Sequence, residues 1–132
     1  MALGKSLTGL KLLEQLEISF DFCKQITVDA LKEFFGKLKE LKRLKELLLY
    51  FYEVNSLQDS SIRILANELS KMNDLQKLVL KIGMCKKLTK KSMIDLSGAI
   101  SKLPRLKHLY LNCHAMIFKS DVVKNIAAAI KQ

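Results

Sequence analysis

Hydrophobic residues recur along this chain in a six-residue pattern that repeats at a constant interval. The pattern Leu-x-x-Leu-x-Leu, with isoleucine at its last position in the first copy, begins at Leu13, Leu44, Leu75 and Leu106. Each copy starts 31 residues after the one before it. Alternation of apolar and polar residues is typical of a half-buried β-strand. The pattern therefore predicts four strands, one in each unit.

A second hydrophobic pattern lies between consecutive strands and has the spacing of a helix. In the second unit, Ile62, Leu65, Leu69 and Met72 follow one another at steps of three, four and three residues, and the units on either side repeat these steps. Such spacing predicts an amphipathic helix that packs on one side. Each unit is thus expected to contain a strand, a loop and a helix of about three to four turns.

A unit of this kind cannot bury its apolar residues alone. Stacked units align their strands into a parallel sheet and pack their helices behind it. The right-handed preference of strand–helix–strand crossovers then sets the direction of coiling. We predict one α/β domain over residues 1–132, a right-handed leucine-rich repeat solenoid with four parallel strands on the concave face and helices on the convex face.

Both ends of the chain continue the pattern with incomplete units. Stable solenoids usually carry polar capping units, and neither end of the sequence contains one. We expect the chain to be part of a longer array, or else to have an end covered by a partner. The apolar residues that continue the pattern are Leu7 and Leu10 at the N-terminus and Val123, Ile126 and Ile130 at the C-terminus.

The repeated pattern resembles that of the leucine-rich repeat family over residues 7–130. Its long helices are similar to those of the ribonuclease-inhibitor-like class. The stretches Cys23–Thr27 and Cys85–Thr89 resemble the Cys-x-x-Ile-Thr signature of the cysteine-containing class. The resemblance implies a solenoid fold. It implies no particular activity, because such repeats support many unrelated binding roles.

Strand alternation assigns every second strand residue to the concave face. All three tyrosines of the chain fall there, and tyrosine is enriched among interface hot spots because it combines a large contact area with a polar tip. The alternative, that strands simply favour tyrosine and valine, stays open. The expected partner-binding residues are Glu17, Asp21, Leu48, Tyr50, Tyr52, Val79, Lys81, Tyr110, Asn112 and His114.

The net charge of +10 favours acidic partners. Four lysines crowd the loop after the third predicted strand, near helix N-termini that also attract anions. This rim is a candidate contact for an acidic partner, with RNA or nucleoprotein as the alternative, and the interpretation that it is simply a solvated, solubilising surface stays open. That loop contains no aromatic residue on which a base could stack. The rim residues are Lys86, Lys87, Lys90 and Lys91.

Catalytic and metal-binding arrangements are not evident in the sequence. Cys113 and His114 are neighbours in a predicted strand, so their side chains point to opposite faces. His108 and His114 are six residues apart, about 20 Å along an extended strand. Cys23 and Cys85 are expected to pack in the core or under loops. We predict no enzymatic activity, no cofactor, no metal and no small-molecule substrate.

Cysteine content and hydropathy indicate a cellular setting. An odd count of three cysteines favours a reducing compartment, and no apolar run approaches the ~20 residues that a membrane span requires. We therefore predict an intracellular, cytoplasmic module for protein–protein interaction or scaffolding, which binds a protein through the concave face. A basic subunit of a larger assembly, contacting RNA or another acidic partner through its lysines, is the alternative.

Overall fold

The computed structural model of the protein describes residues 2–114. Strands and helices alternate along that range, and a short 3-10 helix follows the second α-helix. The predicted C-terminal matches Val123, Ile126 and Ile130 lie outside the described residues. The elements are α1 (Ala2–Ser6), β1 (Gln15–Ser19), α2 (Val28–Lys37), β2 (Glu46–Tyr52), α3 (Asp59–Leu69), β3 (Lys77–Gly83), α4 (Lys90–Ile100) and β4 (His108–Asn112).

The strands form one parallel sheet in the order β1-β2-β3-β4. Its register places Leu16, Leu47, Leu78 and Leu109 side by side. Residues 31 positions apart in sequence are therefore neighbours in the sheet. The predicted α/β architecture, with four parallel strands and helices packed against them, is confirmed.

The core lies between the sheet and the helices. Leu47 and Leu78 from the strands and Leu65 from α3 are fully buried there. The rings of Phe20 and Phe51 stack at 5.1 Å between centroids. Full burial of each such side chain contributes about 1.5–3 kcal/mol, so the repeated apolar positions supply most of the stabilisation.

A residue in the left-handed region of backbone space follows each of the first three strands. Phe22, Glu53 and Met84 have φ values of 59°, 52° and 54°. Each donates its N–H to a carbonyl oxygen of the next unit, at 2.7, 2.9 and 3.3 Å. Non-glycine residues seldom adopt this conformation. The regular hydrogen bond explains why the conformation recurs after these three strands.

The loop between strand and helix also follows one plan. Cys85 and Val54 occupy equivalent positions and are 2% and 0% exposed, whereas Cys23, at the same position in the first unit, is exposed. The expectation of packed cysteines is therefore wrong for Cys23, whose unit has no neighbouring strand before it among the described residues. Thr27 and Thr89 are N-caps whose side chains accept hydrogen bonds from the first turns of α2 and α4.

Candidate functional site

The outward side chains of the strands form a surface on the side of the sheet opposite the helices, which we call the open face. Its residues include the three tyrosines: Tyr50 and Tyr52 are partly exposed and Tyr110 is 51% exposed. The sequence prediction that these side chains point away from the core agrees with this placement. Their exposure leaves aromatic surface available to another molecule.

Four side chains form a continuous row across the open face, which we call the tyrosine–lysine row: Glu17, Tyr50, Lys81 and Tyr110. The hydroxyl of Tyr50 donates a 2.8 Å hydrogen bond to Oε1 of Glu17. The Lys81 ammonium lies 5.2 Å from the centre of the Tyr50 ring and 5.6 Å from that of Tyr110, within cation–π range. The row therefore contains one side chain from each strand, and each of them contacts the next through the hydrogen bond or a cation–π interaction.

The contact between Tyr50 and Glu17 also affects the acidity of the phenol. The hydrogen bond to Glu17, followed by burial and by the charge of that carboxylate and of Asp21, raises the pKa of Tyr50. The phenol therefore stays a neutral hydrogen-bond donor at physiological pH. A fixed, neutral tyrosine needs little ordering when a partner binds.

Leu48 and Val79 form the floor of the open face. They lie side by side on β2 and β3 and are only 8% and 9% exposed. They do not belong to the core between sheet and helices. The sequence analysis placed both among the partner-contacting residues, but the longer side chains around them leave little of their surface accessible.

A recess of about 280 Å³, which we call the notch, lies at the end of the open face where the strands terminate. Tyr52, Gly83 and His114 line it, and Phe22 packs on Tyr52 with 5.3 Å between ring centroids. A Cβ atom at Gly83 would lie 2.7 Å from Cδ2 of Tyr52. Pockets for drug-sized ligands begin near 300 Å³, so the notch suits one side chain of a partner.

Asp21 and Asn112 have local structural contacts at the same end. Asp21 accepts a 2.8 Å hydrogen bond from the backbone N–H of Tyr52. Asn112 accepts one of 3.0 Å from the backbone N–H of His114. Both residues were predicted to contact a partner. The structure gives each of them a role in shaping the notch.

The lysines of the predicted rim are exposed around the start of α4. None of them forms an ion pair within the part of the chain that the structure describes. Their charge is therefore available to an anion, and none of them lines the notch. These residues are Lys86, Lys87, Lys90 and Lys91.

The N-terminus of α4 already holds an anionic group of the protein itself. The carboxylate of Asp59 accepts hydrogen bonds from the backbone N–H of Thr89 at 2.9 Å, and from the hydroxyls of Thr89 and Ser92 at 2.5 Å each. Burial opposes ionisation, but the hydrogen bonds and the charge of Lys91 outweigh it and lower the pKa of Asp59. This carboxylate occupies the position that the sequence analysis offered to a foreign anion.

The cysteine and histidine side chains that could take part in catalysis or metal binding are not brought together in the structure. Cys113 points towards Met93, with 3.9 Å between the sulfur atoms, whereas His114 is exposed. Burial raises the pKa of the Cys113 thiol to about 11. Across residues 2–114, no three histidine, cysteine or acidic side chains are grouped so that they could bind a metal ion. Among the same residues, no helix has the length and hydropathy of a membrane span.

Comparison with known proteins adds information on the fold. No protein-family model and no curated protein matches the chain. The solved structure of leiomodin-1 actin-binding site 2 superposes with a TM-score of 0.68 at 16% identity, over 98% of this chain and 68% of that one. The Caenorhabditis elegans tropomodulin C-terminal domain superposes with a TM-score of 0.55 at 11% identity, over 98% of this chain and 90% of that one. At these identities the likeness shows the fold, which is leucine-rich-repeat-like.

These neighbours overturn the subclass suggested by the sequence. The similar structures are leiomodin and tropomodulin domains and not ribonuclease-inhibitor-type repeats, so the resemblance to that class and to the cysteine-containing class is wrong. The local structure explains the misleading signature. Cys85 and Val54 occupy one buried position under the loop, and Thr89 provides an N-cap. A buried residue followed by a capping threonine satisfies these local needs, although the middle repeat begins its helix at Gln58 without a side-chain cap.

Proposed function

We propose that this chain is a non-enzymatic protein-binding module whose contact surface is the open face. The tyrosine–lysine row is the observation that carries the proposal. Tyr110 is 51% exposed, yet Lys81 holds it in line with Tyr50. Exposed aromatic rings in fixed positions bind a partner at little conformational cost, and they are typical of interface hot spots.

Actin is the first partner to test. The solved structure of leiomodin-1 actin-binding site 2 shares this fold over 98% of the chain. That likeness supports a protein partner in general and makes actin the specific candidate. RNA contact through the rim lysines has no comparable support, and neither has a scaffold role.

Binding to actin is tested with filaments by co-sedimentation and with labelled monomers by fluorescence titration. Replacing an interface hot spot typically costs 2 kcal/mol or more, so Tyr50→Ala/Tyr110→Ala is expected to weaken binding by about 30-fold. Ile94→Ala is the matched control, because Ile94 is 52% exposed on α4, away from the open face. If the wild-type chain binds neither form, actin is rejected. If the tyrosine variant binds as tightly as the wild type, the open-face site is rejected.

We also propose that the chain is a single domain of a longer array and that it coils in a right-handed direction with the strands on the concave side. The general handedness of strand–helix–strand crossovers supports the direction of the coil. We further propose that the protein is cytoplasmic. All three cysteines are free thiols, which supports a reducing compartment. Imaging the fluorescently tagged full-length protein in its own cells tests the location, and a secreted product would contradict it.

A further inference from the structure

Charged side chains on the open face are sorted by strand. The side of β1 carries the acidic residues Glu17 and Asp21, and β3 carries Lys77 and Lys81. On β2, Glu46 faces Lys77 with 4.0 Å between Oε2 and Nζ, so these two charges offset each other. An acidic margin at β1 and a cationic position at Lys81 remain.

Both remaining charges have capacity for a partner. Glu17 is exposed and uses Oε1 for the hydrogen bond from Tyr50, which leaves Oε2 available. Lys81 is exposed, contacts two aromatic rings, and has no carboxylate within ion-pair distance among residues 2–114. Two strand spacings of about 4.8 Å separate β1 from β3. The two strand backbones that carry the opposite charges are therefore about 10 Å apart, and Lys81 lies two residues beyond Val79, the β3 residue in register with Glu17.

The notch lies between Asp21 and Lys81, and Glu17 is not among the residues that line it. Asp21 borders it from the side of β1, Lys81 borders it from β3, and the rings of Tyr52 and Phe22 supply its apolar wall. An apolar side chain seated there would have the acidic margin on one side and the lysine on the other. The acidic side, the notch and the lysine therefore follow one another across the sheet, from β1 to β3, and not along a single strand.

We propose that the open face binds a short segment of a partner protein that crosses the strands in one direction. A basic residue lies over Glu17 and Asp21, an aromatic or large aliphatic side chain enters the notch, and an acidic residue lies beside Lys81. The reverse direction sets like charges against each other, which disfavours that orientation. This inference rests on the proposed function and adds the chemistry and orientation of the bound segment.

A phage-displayed library of random 12-residue peptides provides the probe. Peptides are selected on the wild-type chain and depleted on Tyr50→Ala/Tyr110→Ala, and their affinities are then measured for the charge-exchanged variant Glu17→Lys/Lys81→Glu. That variant keeps the net charge of the wild type. We expect selected peptides to carry a basic and an acidic residue on opposite sides of an aromatic or large aliphatic one. We also expect them to bind the charge-exchanged variant at least tenfold more weakly, and to recover when their own charges are exchanged.

The control variant is Arg63→Asp/Asp95→Arg, which exchanges a charge pair 3.9 Å apart on the helical side. It is expected to bind every selected peptide as the wild type does. Circular dichroism establishes that each variant is folded. Should Glu17→Lys/Lys81→Glu fail to fold, Lys81→Met replaces it and is expected to lose affinity only for peptides that retain their acidic residue.

The possible outcomes distinguish failure of the directional inference from failure of the proposed binding through the open face. Peptides that depend on the tyrosines but bind the charge-exchanged variant equally well overturn the directional inference and leave the open-face proposal standing. Selected peptides that carry no ordered pair of charges do the same. A library that yields no peptide dependent on the tyrosines overturns the inference of a bound segment, whereas the open-face proposal fails only if Tyr50→Ala/Tyr110→Ala leaves protein binding unchanged.

Discussion

The carboxylate of Asp59 in α3 accepts two hydrogen bonds from Thr89, the N-cap residue of α4. A side chain of one unit therefore satisfies the helix terminus of the next, which adds a polar link to the apolar packing between units. The α2–α3 junction has no such link, because Val28 occupies in α2 the position that Asp59 occupies in α3. The contact is specific to the α3–α4 junction.

Replacement of Asp59 by asparagine should destabilise the fold and make its stability less sensitive to acid. We expect Asp59→Asn to lower the free energy of unfolding by about 0.5–2 kcal/mol at pH 7, the usual range for a lost capping interaction. The pKa of Asp59 is lowered in the folded state. The ionised carboxylate of Asp59 therefore makes its full contribution to stability above pH 3.8, the ordinary carboxyl pKa. This contribution is lost as the pH falls through the lower pKa that Asp59 has in the folded state.

Urea unfolding of both proteins at several pH values between 7 and 2.5 measures this effect. The stability difference between wild type and Asp59→Asn should shrink below pH 4. The control is Asp95→Asn, since Asp95 faces Arg63 at 3.9 Å on the surface and such pairs contribute little. A difference that stays constant down to pH 2.5 would show that Asp59 is not ionised in the way described.

Leu78 tests the packing of the units. This residue lies on β3, is fully buried, and is paired with Leu47 and Leu109 in the sheet. We expect Leu78→Ala to lower the free energy of unfolding by about 2–5 kcal/mol. Lys90→Ala removes an exposed side chain of α4 and should change it by less than about 0.5 kcal/mol. Equal effects of the two substitutions, measured by chemical denaturation, would contradict the assigned register.

Glu53 tests the left-handed residue that follows each of the first three strands. Its φ of 52° is unfavourable for any residue with a Cβ atom. Glu53→Gly keeps the N–H that bonds to the carbonyl of Gly83 and should raise the free energy of unfolding by up to about 1 kcal/mol. Asn55→Gly, in the same loop but without a positive φ, should be neutral or destabilising. A loss of stability in Glu53→Gly greater than in Asn55→Gly would refute the conformational argument.

Two glycine-to-alanine substitutions should have opposite effects. At Gly83 the new methyl group meets the Tyr52 ring at 2.7 Å, so Gly83→Ala should displace that ring, reshape the notch and lower the melting temperature. At Gly98, inside α4, nothing lies within 4 Å of the added Cβ, and Gly98→Ala should raise stability by about 0.5–1 kcal/mol. Thermal melts, with NMR shifts of the Tyr52 ring, measure both. An unchanged ring environment in Gly83→Ala would contradict the proposed shape of the notch.

The fold follows from the sequence because its signal is periodic. An interval of 31 residues makes Leu47 and Leu78 neighbours whatever the loops do, and it also predicts the pairing of Glu46 with Lys77. The left-handed conformation of Phe22 could not be predicted, because it lacks the glycine or asparagine that usually marks such a turn. It depends on a hydrogen bond to the next unit.

The site was only partly predictable for a similar reason. Alternation places Tyr50, Lys81 and Tyr110 on one side of the sheet, but their mutual contacts depend on side-chain rotamers, which no sequence pattern reveals. Burial of Leu48 and Val79 follows from the length of the side chains around them. The subclass was misassigned because a buried position and a helix cap reproduce a family signature without the relationship it usually marks.

Site-specific photo-crosslinking tests the central claim most directly, because it reports which surface of the protein a partner contacts, whatever that partner is. A benzoylphenylalanine is introduced at Tyr110 on the open face and, in a separate protein, at Ile94 on α4; these side chains are 51% and 52% exposed. After irradiation in cells that naturally contain the protein, position 110 should yield a discrete protein adduct that Lys81→Glu weakens, and position 94 should not. Adducts from position 94 alone, or equal adducts from both positions, would contradict binding through the open face.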